Sequence, residues 1–351
     1  MKKCRIDVSV IISTRNRADL LRQTLQSLRR QKTQGIQWQL VIVDNGSSDE
    51  TAQILKKTSS QLNMVILHEP VAGKSRALNR ALEVASGNFL LFTDDDVIFS
   101  PTWIRDLHSA GLQNPSLSLF CGPIIPAFPA RTPKWIRSHP FAAVMFGRFE
   151  PQSTPGLLAR WCNPFGASFA VRACAAAGER FRLDLGPSAE NGPFFDEDTE
   201  FVGRFVDSEG RKVYIPSAYV FHHIAGPQTK LPWIIERSFH LGRSRALIQN
   251  GATLQRSQLE LHFLQDSSEA GPRHRYERAS ILNFYFGQWY QLQKMGKAQL
   301  QRACEQVLHE LKVWRSKHLL GPSAIENCNG LVHQRFARIR QACNTTPRSR
   351  A

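Results

Sequence analysis

Carboxylates stand directly after apolar runs at three places in the sequence. Asp44 ends one such run, the triplet Asp94–Asp96 ends another, and Asp196–Asp198 follows two phenylalanines. Neighbouring ionised carboxylates repel one another, and burial would raise their pKa values. The triplet therefore needs water, hydrogen-bond donors or a cation beside it. Mg²⁺ or Mn²⁺, which prefer oxygen ligands, would neutralise it and bridge it to phosphates, whereas the plainer interpretation is a solvated acidic turn.

The first hundred residues alternate between short apolar runs and amphipathic segments. Four strands are predicted, over residues 6–13, 39–44, 64–68 and 88–92, with helices over 18–30, 50–57 and 73–86. This alternation is typical of an α/β fold with a mostly parallel sheet flanked by helices. Ligands collect beyond the carboxyl ends of the strands in such a sheet. Two of the acidic segments, Asp44 and Asp94–Asp96, stand at such ends. Further on, the pattern predicts a strand over 166–171 followed by a small helix, a flexible loop over 186–193 and a helix over 199–207.

Four segments, in this order and spacing, resemble family 2 glycosyltransferases with the GT-A fold. They are VSVIISTRNRADLLRQTLQSL (Val8–Leu28), VIVDNGSSDET (Val41–Thr51), GKSRALNRALEVASGNFLLFTDDD (Gly73–Asp96) and DEDTEF (Asp196–Phe201). The later PSAYVFH (Pro216–His222) is similar to the segment that ends the domain in that family. Each motif is weak alone, but together they cover roughly residues 5–225. The resemblance implies a Rossmann-like GT-A domain that uses a nucleotide-diphosphate sugar.

The resemblance also implies roles for the residues on the donor side. Thr14 and Arg17 would lie in the loop that cradles the nucleotide base, and Asp44 would accept a hydrogen bond from that base. Many members carry an Arg-Asn pair in the helix before the second acidic loop, and this sequence departs from that pattern. Either Lys74 or Arg76 is therefore expected to contact the diphosphate.

The triplet resembles the family's DxD motif. By that resemblance Asp94 and Asp95 would lie near the ribose, and Asp96 would hold Mn²⁺ or Mg²⁺ on the diphosphate. The family has a histidine that approaches the diphosphate or the metal, and His222 matches it, with His223 as the alternative. A cation at this place would neutralise the charge of the leaving diphosphate.

The pair Glu197-Asp198 resembles the segment that carries the catalytic base. Asp198 is the predicted base and Glu197 the second choice, because an acceptor hydroxyl must lose a proton as it attacks. A single displacement inverts the anomeric centre, as the resemblance implies. The other interpretation of Asp198 is a carboxylate that stabilises the start of a helix. Trp161 and Phe165 are the predicted acceptor contacts, since their segment leads into the strand before the acidic pair, with simple core packing as the alternative.

Positive charge is concentrated in the second part of the chain. The 351 residues carry a net charge of +16, and residues 226–351 hold 19 basic and 8 acidic side chains, a net +11. We predict a GT-A catalytic domain over 1–225, with a nucleotide-sugar half of about 1–97 and an acceptor half of about 98–225. A basic, mainly helical extension follows over 226–351. Its aromatic and basic segments predict reversible contact with an anionic membrane surface, or else a helical cap on the catalytic domain.

The composition of the chain bears on its cellular location and on its class of function. Seven scattered cysteines without a CxxC pair fit reduced thiols in a cytoplasmic protein, peripheral at the inner face of a membrane if the extension binds lipid. Nucleic acid is not expected, because no binding signature accompanies the charge. The predicted function is transfer of a sugar to a lipid-linked or glycan acceptor in polysaccharide or glycolipid assembly. The alternatives are a sugar nucleotidyltransferase and a basic lipid- or nucleic-acid-binding protein with a degenerate catalytic domain.

Overall fold

The computed structural model describes residues 6–33, 35–138, 141–159, 162–190, 192–206 and 211–248, together with residues 287, 288 and 291. The strands are β1 Val8–Thr14, β2 Trp38–Asp44, β3 Met64–His68, β4 Phe89–Phe92, β5 Val97–Phe99, β6 Leu119–Cys121, β7 Ile124–Ala127, β8 Gly156–Leu157, β9 Phe169–Arg172, β10 Pro187–Ser188, β11 Gly192–Pro193, β12 Val213–Tyr214 and β13 Val220–His223. The α-helices are α1 Ala18–Leu28, α2 Thr51–Thr58, α3 Lys74–Leu82, α4 Trp103–Gln113, α5 Lys134–Ser138, α6 Phe141–Phe146, α7 Glu197–Gly203 and α8 Leu231–Ile248.

An eight-stranded sheet organises these elements, in the order β3-β2-β1-β4-β9-β6-β12-β8. Strand β1 pairs in parallel with both β2 and β4, and β2 pairs in parallel with β3. Strand β9 runs antiparallel between β4 and β6. This architecture confirms the predicted α/β fold with a large, mostly parallel sheet flanked by helices.

The apolar runs form strands because the sheet is covered on both faces. Each residue of β4 is buried, and so are six of the seven residues of β1. Helix α1 packs Leu21, Leu25 and Leu28 into the core, at the three- and four-residue spacing of one helix face. Burying such a side chain contributes about 1.5–3 kcal/mol, so this face alone decides how α1 lies on the sheet.

Two local expectations were wrong. The small helix expected near Ala173 is a series of turns, in which the N–H groups of Ala175 and Ala176 donate to the carbonyl oxygen of Arg172. The loop expected over residues 186–193 contains the β10–β11 hairpin.

A second, three-stranded sheet and α8 complete the part that frames the site. Strand β13 lies between β5 and β7, so that His222 pairs with Val97, the residue after the acidic triplet. Helix α8 buries Ile234, Phe239 and Leu241. Ile234 and Leu241 belong to a small apolar cluster with Ile136, Met145 and Phe146. The aromatic segment over residues 281–290 lies almost wholly outside the described residues. None of the helices within the described ranges is long and apolar enough to span a bilayer.

Candidate active site

A cavity of about 640 Å³ opens where the loops after β1, β2 and β4 meet the start of α7 and one face of α8. Its lining brings together residues from the three acidic segments and several basic and aromatic side chains. Among the charged, polar and aromatic lining residues are Thr14, Arg15, Arg17, Asn45, Lys74, Asp94, Asp95, Asp96, Phe165, Asp196, Glu197, Asp198, His222, Trp233, Arg237 and Arg245. The carboxyl ends of β1, β2 and β4 thus meet at one cavity, as expected for an open parallel sheet.

Asp95 points inward and is tied to the first loop. Its Oδ2 accepts a hydrogen bond from Thr14 Oγ1 at 2.7 Å, and its Oδ1 lies 2.9 Å from the Arg17 guanidinium. Burial raises the pKa of Asp95 to about 6, while the positive charge of Arg17 opposes that rise. The residue therefore fastens the loop after β1 to the triplet, and its carboxylate is engaged by protein.

Three side chains form a group with the geometry of a cation site. Asp94, Asp96 and His222 each offer one ligand atom, and these atoms all lie within 4.8 Å of one another. The pairing of β13 with β5 brings these three side chains together, because Asp94–Asp96 directly precede β5. Within the described ranges this is the one such group of histidine, cysteine and carboxylate side chains.

The histidine of this group is held in a fixed orientation. His222 Nδ1 lies 3.1 Å from the carbonyl oxygen of Phe146, which accepts a hydrogen bond from the Nδ1–H. The other ring nitrogen, Nε2, is 3.5 Å from Asp96 Oδ1. A histidine whose Nδ1–H is taken by a carbonyl presents Nε2 to a metal or to an acid. Asp96 Oδ1 is buried and has no hydrogen-bond partner among the described residues, so a ligand position is available.

Positive charges neutralise Asp96. Burial raises its pKa, but His222 and Arg17 outweigh burial and bring the pKa to about 2. Burial lowers the pKa of His222, and the Asp96 carboxylate more than reverses this, so that its pKa is raised. Asp96 is therefore an ionised carboxylate beside a cationic side chain, which is the environment that a bound cation also provides.

Lys74 connects the two acidic sides of the cavity. Its Nζ donates to Asp94 Oδ1 at 2.9 Å and lies 3.0 Å from Glu197 Oε1. Lys74 begins α3, one residue after Gly73, whose N–H donates to Asn45 Oδ1 at 2.7 Å. Burial raises the pKa of Glu197 and Lys74 opposes this effect. The ammonium group thus lies between the group of Asp94, Asp96 and His222 and the start of α7. A diphosphate bound at this place would need a positive charge.

The third acidic segment begins α7 in a special backbone conformation. Asp196 has φ of 66°, in the left-handed region, and its buried carboxylate lies 3.0 Å from Arg245 Nε. A non-glycine residue rarely adopts this conformation, so the ion pair with α8 fixes a turn that would otherwise be unfavourable. The turn directs the next two residues, Glu197 and Asp198, into the cavity.

Asp198 is held by backbone donors. Its Oδ1 accepts the Thr199 N–H at 2.7 Å, and its Oδ2 accepts a short hydrogen bond from the Gly166 N–H. Each carboxylate oxygen keeps lone-pair capacity for a further donor. The side chain is half-buried and lines the cavity, so a hydroxyl in the cavity can reach it.

Gly166 permits this approach, and its replacement gives a prediction. A Cβ at position 166 would lie 2.8 Å from Asp198 Oδ2 and 3.3 Å from Asp198 Cβ. We expect Gly166→Ala to displace Asp198 and lower turnover about tenfold or more, since small misplacements of reacting groups cost up to about 100-fold. Gly203→Ala is the control, because open space surrounds a Cβ there. Turnover and melting temperature should be measured for both variants; equal turnover in the two would contradict the role of this contact.

One face of α8 forms a wall that the sequence analysis did not assign to the site. Trp233, Arg237, Leu241 and Arg245 recur every four residues and all line the cavity. A four-residue spacing places side chains on one helix face, and this signal was present in the sequence. It was missed because the basic residues there were attributed to a solvated or lipid-facing surface.

The predicted site residues either line the cavity, lie outside its lining, or fall outside the described residues. Of the predicted residues that the structure describes, the lining includes all except Asp44, Arg76 and the alternative histidine His223. Asp44 Oδ1 accepts the Ser47 N–H at the end of β2, and its neighbour Asn45 lines the cavity in its place. Arg76 turns to Glu190, at 3.6 Å, so the choice between the two phosphate contacts favours Lys74 by position. Trp161 lies outside the described residues. Functional roles for all of these residues stay predictions.

The comparisons with known proteins agree with this geometry. Residues 9–174 match the model of the family described as Glycosyl transferase family 2. The succinoglycan biosynthesis protein ExoM of Rhizobium meliloti is 24% identical over 242 residues, which cover 68% of this chain and 74% of that protein. The poly(ribitol-phosphate) beta-N-acetylglucosaminyltransferase TarS of Staphylococcus aureus is 33% identical over 100 residues, only 28% of this chain and 18% of TarS.

Solved structures share the fold at low sequence identity. Residues 1–349 of Staphylococcus aureus TarS, in complex with UDP-GlcNAc, superimpose with a TM-score of 0.53 at 17% identity, covering 87% of this chain and 92% of that one. The mannosyltransferase PcManGT of Pyrobaculum calidifontis, in complex with GDP-Man and Mn²⁺, gives a TM-score of 0.50 at 18% identity, covering 95% and 82%. The family match and the shared architecture agree: residues 9–174 match glycosyltransferase family 2, and the fold is the GT-A fold of these solved glycosyltransferases.

Proposed function

We propose that the protein transfers a sugar from a nucleotide-diphosphate sugar to a hydroxyl acceptor, with inversion of the anomeric centre and with a divalent cation. The observation that carries this proposal is the position of Asp94, Asp96 and His222 on the same cavity as Asp198. Donor and acceptor must meet between a group that stabilises the leaving diphosphate and a group that takes a proton. Solved relatives whose complexes contain UDP-GlcNAc, or GDP-Man with Mn²⁺, support the donor class.

The cation would be Mn²⁺ or Mg²⁺, held by Asp96 and His222 with Asp94 beside them. Carboxylate oxygens suit both ions, and the buried Asp96 Oδ1 without a hydrogen-bond partner among the described residues fits a missing ligand. When bound, it would supply Lewis-acid neutralisation of the leaving diphosphate. Asp94 was predicted to lie near the ribose. Because it also belongs to the group with Asp96 and His222, we propose that it helps to hold the cation as well.

The remaining donor contacts are proposed on the first three loops. Thr14 and Arg17 order the loop beside the base, with Asp95 as their partner, and Asp44 with Asn45 frames the base pocket. Lys74 would contact the diphosphate, since its ammonium group lies within 3.0 Å of both Asp94 and Glu197 and is held at the cavity. A cation in this position favours the departing negative charge.

Asp198 is the proposed general base. The acceptor oxygen attacks the anomeric carbon, its proton passes to the Asp198 carboxylate, and the bond from the anomeric carbon to the diphosphate breaks with its electron pair on the diphosphate. Glu197 is the second choice, because its carboxylate is buried and tied to Lys74 at 3.0 Å. One displacement of this kind gives an inverted product.

The proposed acceptor belongs to polysaccharide or glycolipid assembly. The names of the relatives, a succinoglycan biosynthesis protein and a poly(ribitol-phosphate) transferase, support a polymeric acceptor. Phe165 lines the cavity beside Asp198, and it is proposed as an acceptor contact together with Trp161. The domain division at residue 225, the cytoplasmic location and the contact of residues 226–351 with anionic membrane stay predictions. Helix α8 belongs structurally to the cavity, whatever the rest of that region does.

A donor screen tests the proposal and includes a metal-removal prediction. A panel of UDP-, GDP-, ADP- and dTDP-sugars is incubated with the protein and Mn²⁺ or Mg²⁺, and release of nucleoside diphosphate is measured. We expect release from one donor class, its loss with EDTA, and its return with added Mn²⁺. Release that EDTA does not change would refute the metal requirement, and no release from any donor would refute the function. The anomeric configuration of the product, read by NMR, tests inversion.

Lys74 and Arg76 offer a matched pair of variants. Lys74→Gln removes a cation that lies between Asp94 and Glu197, and we expect affinity for nucleoside diphosphate to fall about tenfold to 100-fold, the scale of a hydrogen bond to a charged group. Arg76→Gln removes a charge that faces Glu190 outside the cavity, and affinity should change less than about twofold, as for other surface substitutions. Calorimetric titration measures both. The reverse ranking would assign the diphosphate contact to Arg76.

A further inference from the structure

Arg237 on α8 is a cavity-lining cation without an ion-pair partner among the described residues. Its Nε is buried and makes no hydrogen bond there. The other arginine on this face, Arg245, is paired with Asp196 at 3.0 Å. Arg245 is thus the ion-pair partner of Asp196, and Arg237 has the smaller effect on the pKa of that carboxyl.

Two aromatic rings lie against this guanidinium. The Arg237 Cζ lies 4.1 Å from the centre of the Phe195 ring and 5.3 Å from that of Trp233. Trp233 in turn stacks on Phe146, with ring centres 5.8 Å apart and planes inclined by 7°. Stacking uses the faces of a guanidinium and leaves its in-plane N–H groups able to bind a planar or tetrahedral anion.

The surroundings of Arg237 place it on the acceptor side. Its guanidinium contacts the ring of Phe195, which stands three residues before Asp198, and Asp196 and Asp198 raise its pKa more than Glu197 and Asp94 do. Burial lowers the pKa of Arg237 in spite of these carboxylates, so its charge is not fully compensated by the protein. The donor diphosphate already has Lys74 beside Asp94. An anion next to Arg237 would thus belong to the molecule whose hydroxyl meets Asp198.

We propose that Arg237, with Trp233 beside it, forms an acceptor subsite for a sugar that carries a phosphate or carboxylate group close to the attacking hydroxyl. The inference rests on the proposed function and gives its acceptor a chemical class. Arg237 would bind the anionic group, and Trp233 would contact the apolar face of the sugar ring. Selectivity for an anionic acceptor follows, because a neutral sugar leaves the buried guanidinium unsatisfied.

Ligand binding with the donor site filled tests this subsite. The nucleoside diphosphate selected by the donor screen is added with Mn²⁺ to saturation, and glucose 6-phosphate, glucuronate and glucose are titrated calorimetrically. We expect one or both anionic sugars to bind at least about tenfold more tightly than glucose, the smaller effect of a charged hydrogen bond. Which of the two binds more tightly distinguishes phosphate from carboxylate. Arg237→Gln should abolish the difference, and Arg237→Lys should retain part of it as a point charge.

Controls separate this inference from the function on which it rests. Arg80→Gln, on α3 and paired with Glu83 at the surface, removes the same charge and should keep the anion preference. Nucleotide binding should be the same in wild type and Arg237→Gln. If nucleotide binds with Mn²⁺ but the anionic sugars bind no better than glucose, or bind Arg237→Gln equally well, the subsite is refuted. Loss of nucleotide binding in Arg237→Gln would instead assign Arg237 to the donor diphosphate. If wild type binds no nucleotide, the proposed function itself fails.

Discussion

Asp198→Asn is expected to lower sugar transfer by about 10²–10⁴-fold, the usual contribution of a general base, while nucleotide binding is unchanged. The amide keeps the size of the carboxylate and can accept a hydrogen bond from Gly166 or Thr199, but it cannot take up a proton from the acceptor. Helix α7 should therefore form as before. Product formation with the accepted donor, and calorimetric titration of its nucleoside diphosphate, measure the two effects separately.

Two further variants interpret this result. Asp184→Asn removes a surface carboxylate paired with Arg182 and should transfer sugar at the wild-type rate. Glu197→Gln changes the carboxylate that is tied to Lys74. If Asp198→Asn is fully active and Glu197→Gln has lost transfer, the base is Glu197. If both variants remain active, the acidic pair does not supply the base.

Asp96→Ala is expected to abolish the part of nucleotide binding that depends on Mn²⁺. Asp96 brings a buried, ionised oxygen to the group formed with Asp94 and His222, and its removal leaves two ligand side chains. Arg17 keeps its ion pair with Asp95 at 2.9 Å, so the loop after β1 should stay ordered. Titration of nucleoside diphosphate with and without Mn²⁺ measures the effect, and Asp96→Asn repeats it with the volume of the side chain preserved.

The control for this prediction is Asp106→Asn. Asp106 lies in α4, bonded to Thr102 at 2.7 Å and away from the cavity lining, so the dependence on Mn²⁺ should persist there. Melting temperatures of all three variants show whether the fold is retained. A folded Asp96 variant whose affinity still rises with Mn²⁺ as in wild type would remove Asp96 from the cation site.

The strands of the first hundred residues were predictable because local sequence decides them. Strand β2 is apolar over Leu40–Val43 and is covered on both faces, so its position can be read without knowing its neighbours. The proximity of Asp96 and His222 is different. It depends on the pairing of β13 with β5, which periodicity does not reveal, and it was expected only through the resemblance to a family.

The α8 wall could not be derived by the same reasoning. Arg237 and Arg245 raise the positive charge of the chain, and charge counting treats every arginine as exposed. In the structure Arg245 is paired with Asp196, and Arg237 contacts the ring of Phe195, which stands far from it in sequence, besides that of Trp233 on its own helix. Long-range packing thus decides which basic residues belong to the cavity, and a four-residue spacing was the only local signal.

Strand β9 has a consequence for synthesis of the protein. Strand β4 pairs on one side with β1, and its other side is covered only when Phe169–Arg172 arrives as β9. A nascent chain that has emerged as far as residue 97 therefore presents Phe89–Phe92 as an open, apolar strand edge, the kind of edge that recruits other chains. We expect a fragment of residues 1–97 to aggregate, and the emerging chain to need protection until β9 is inserted.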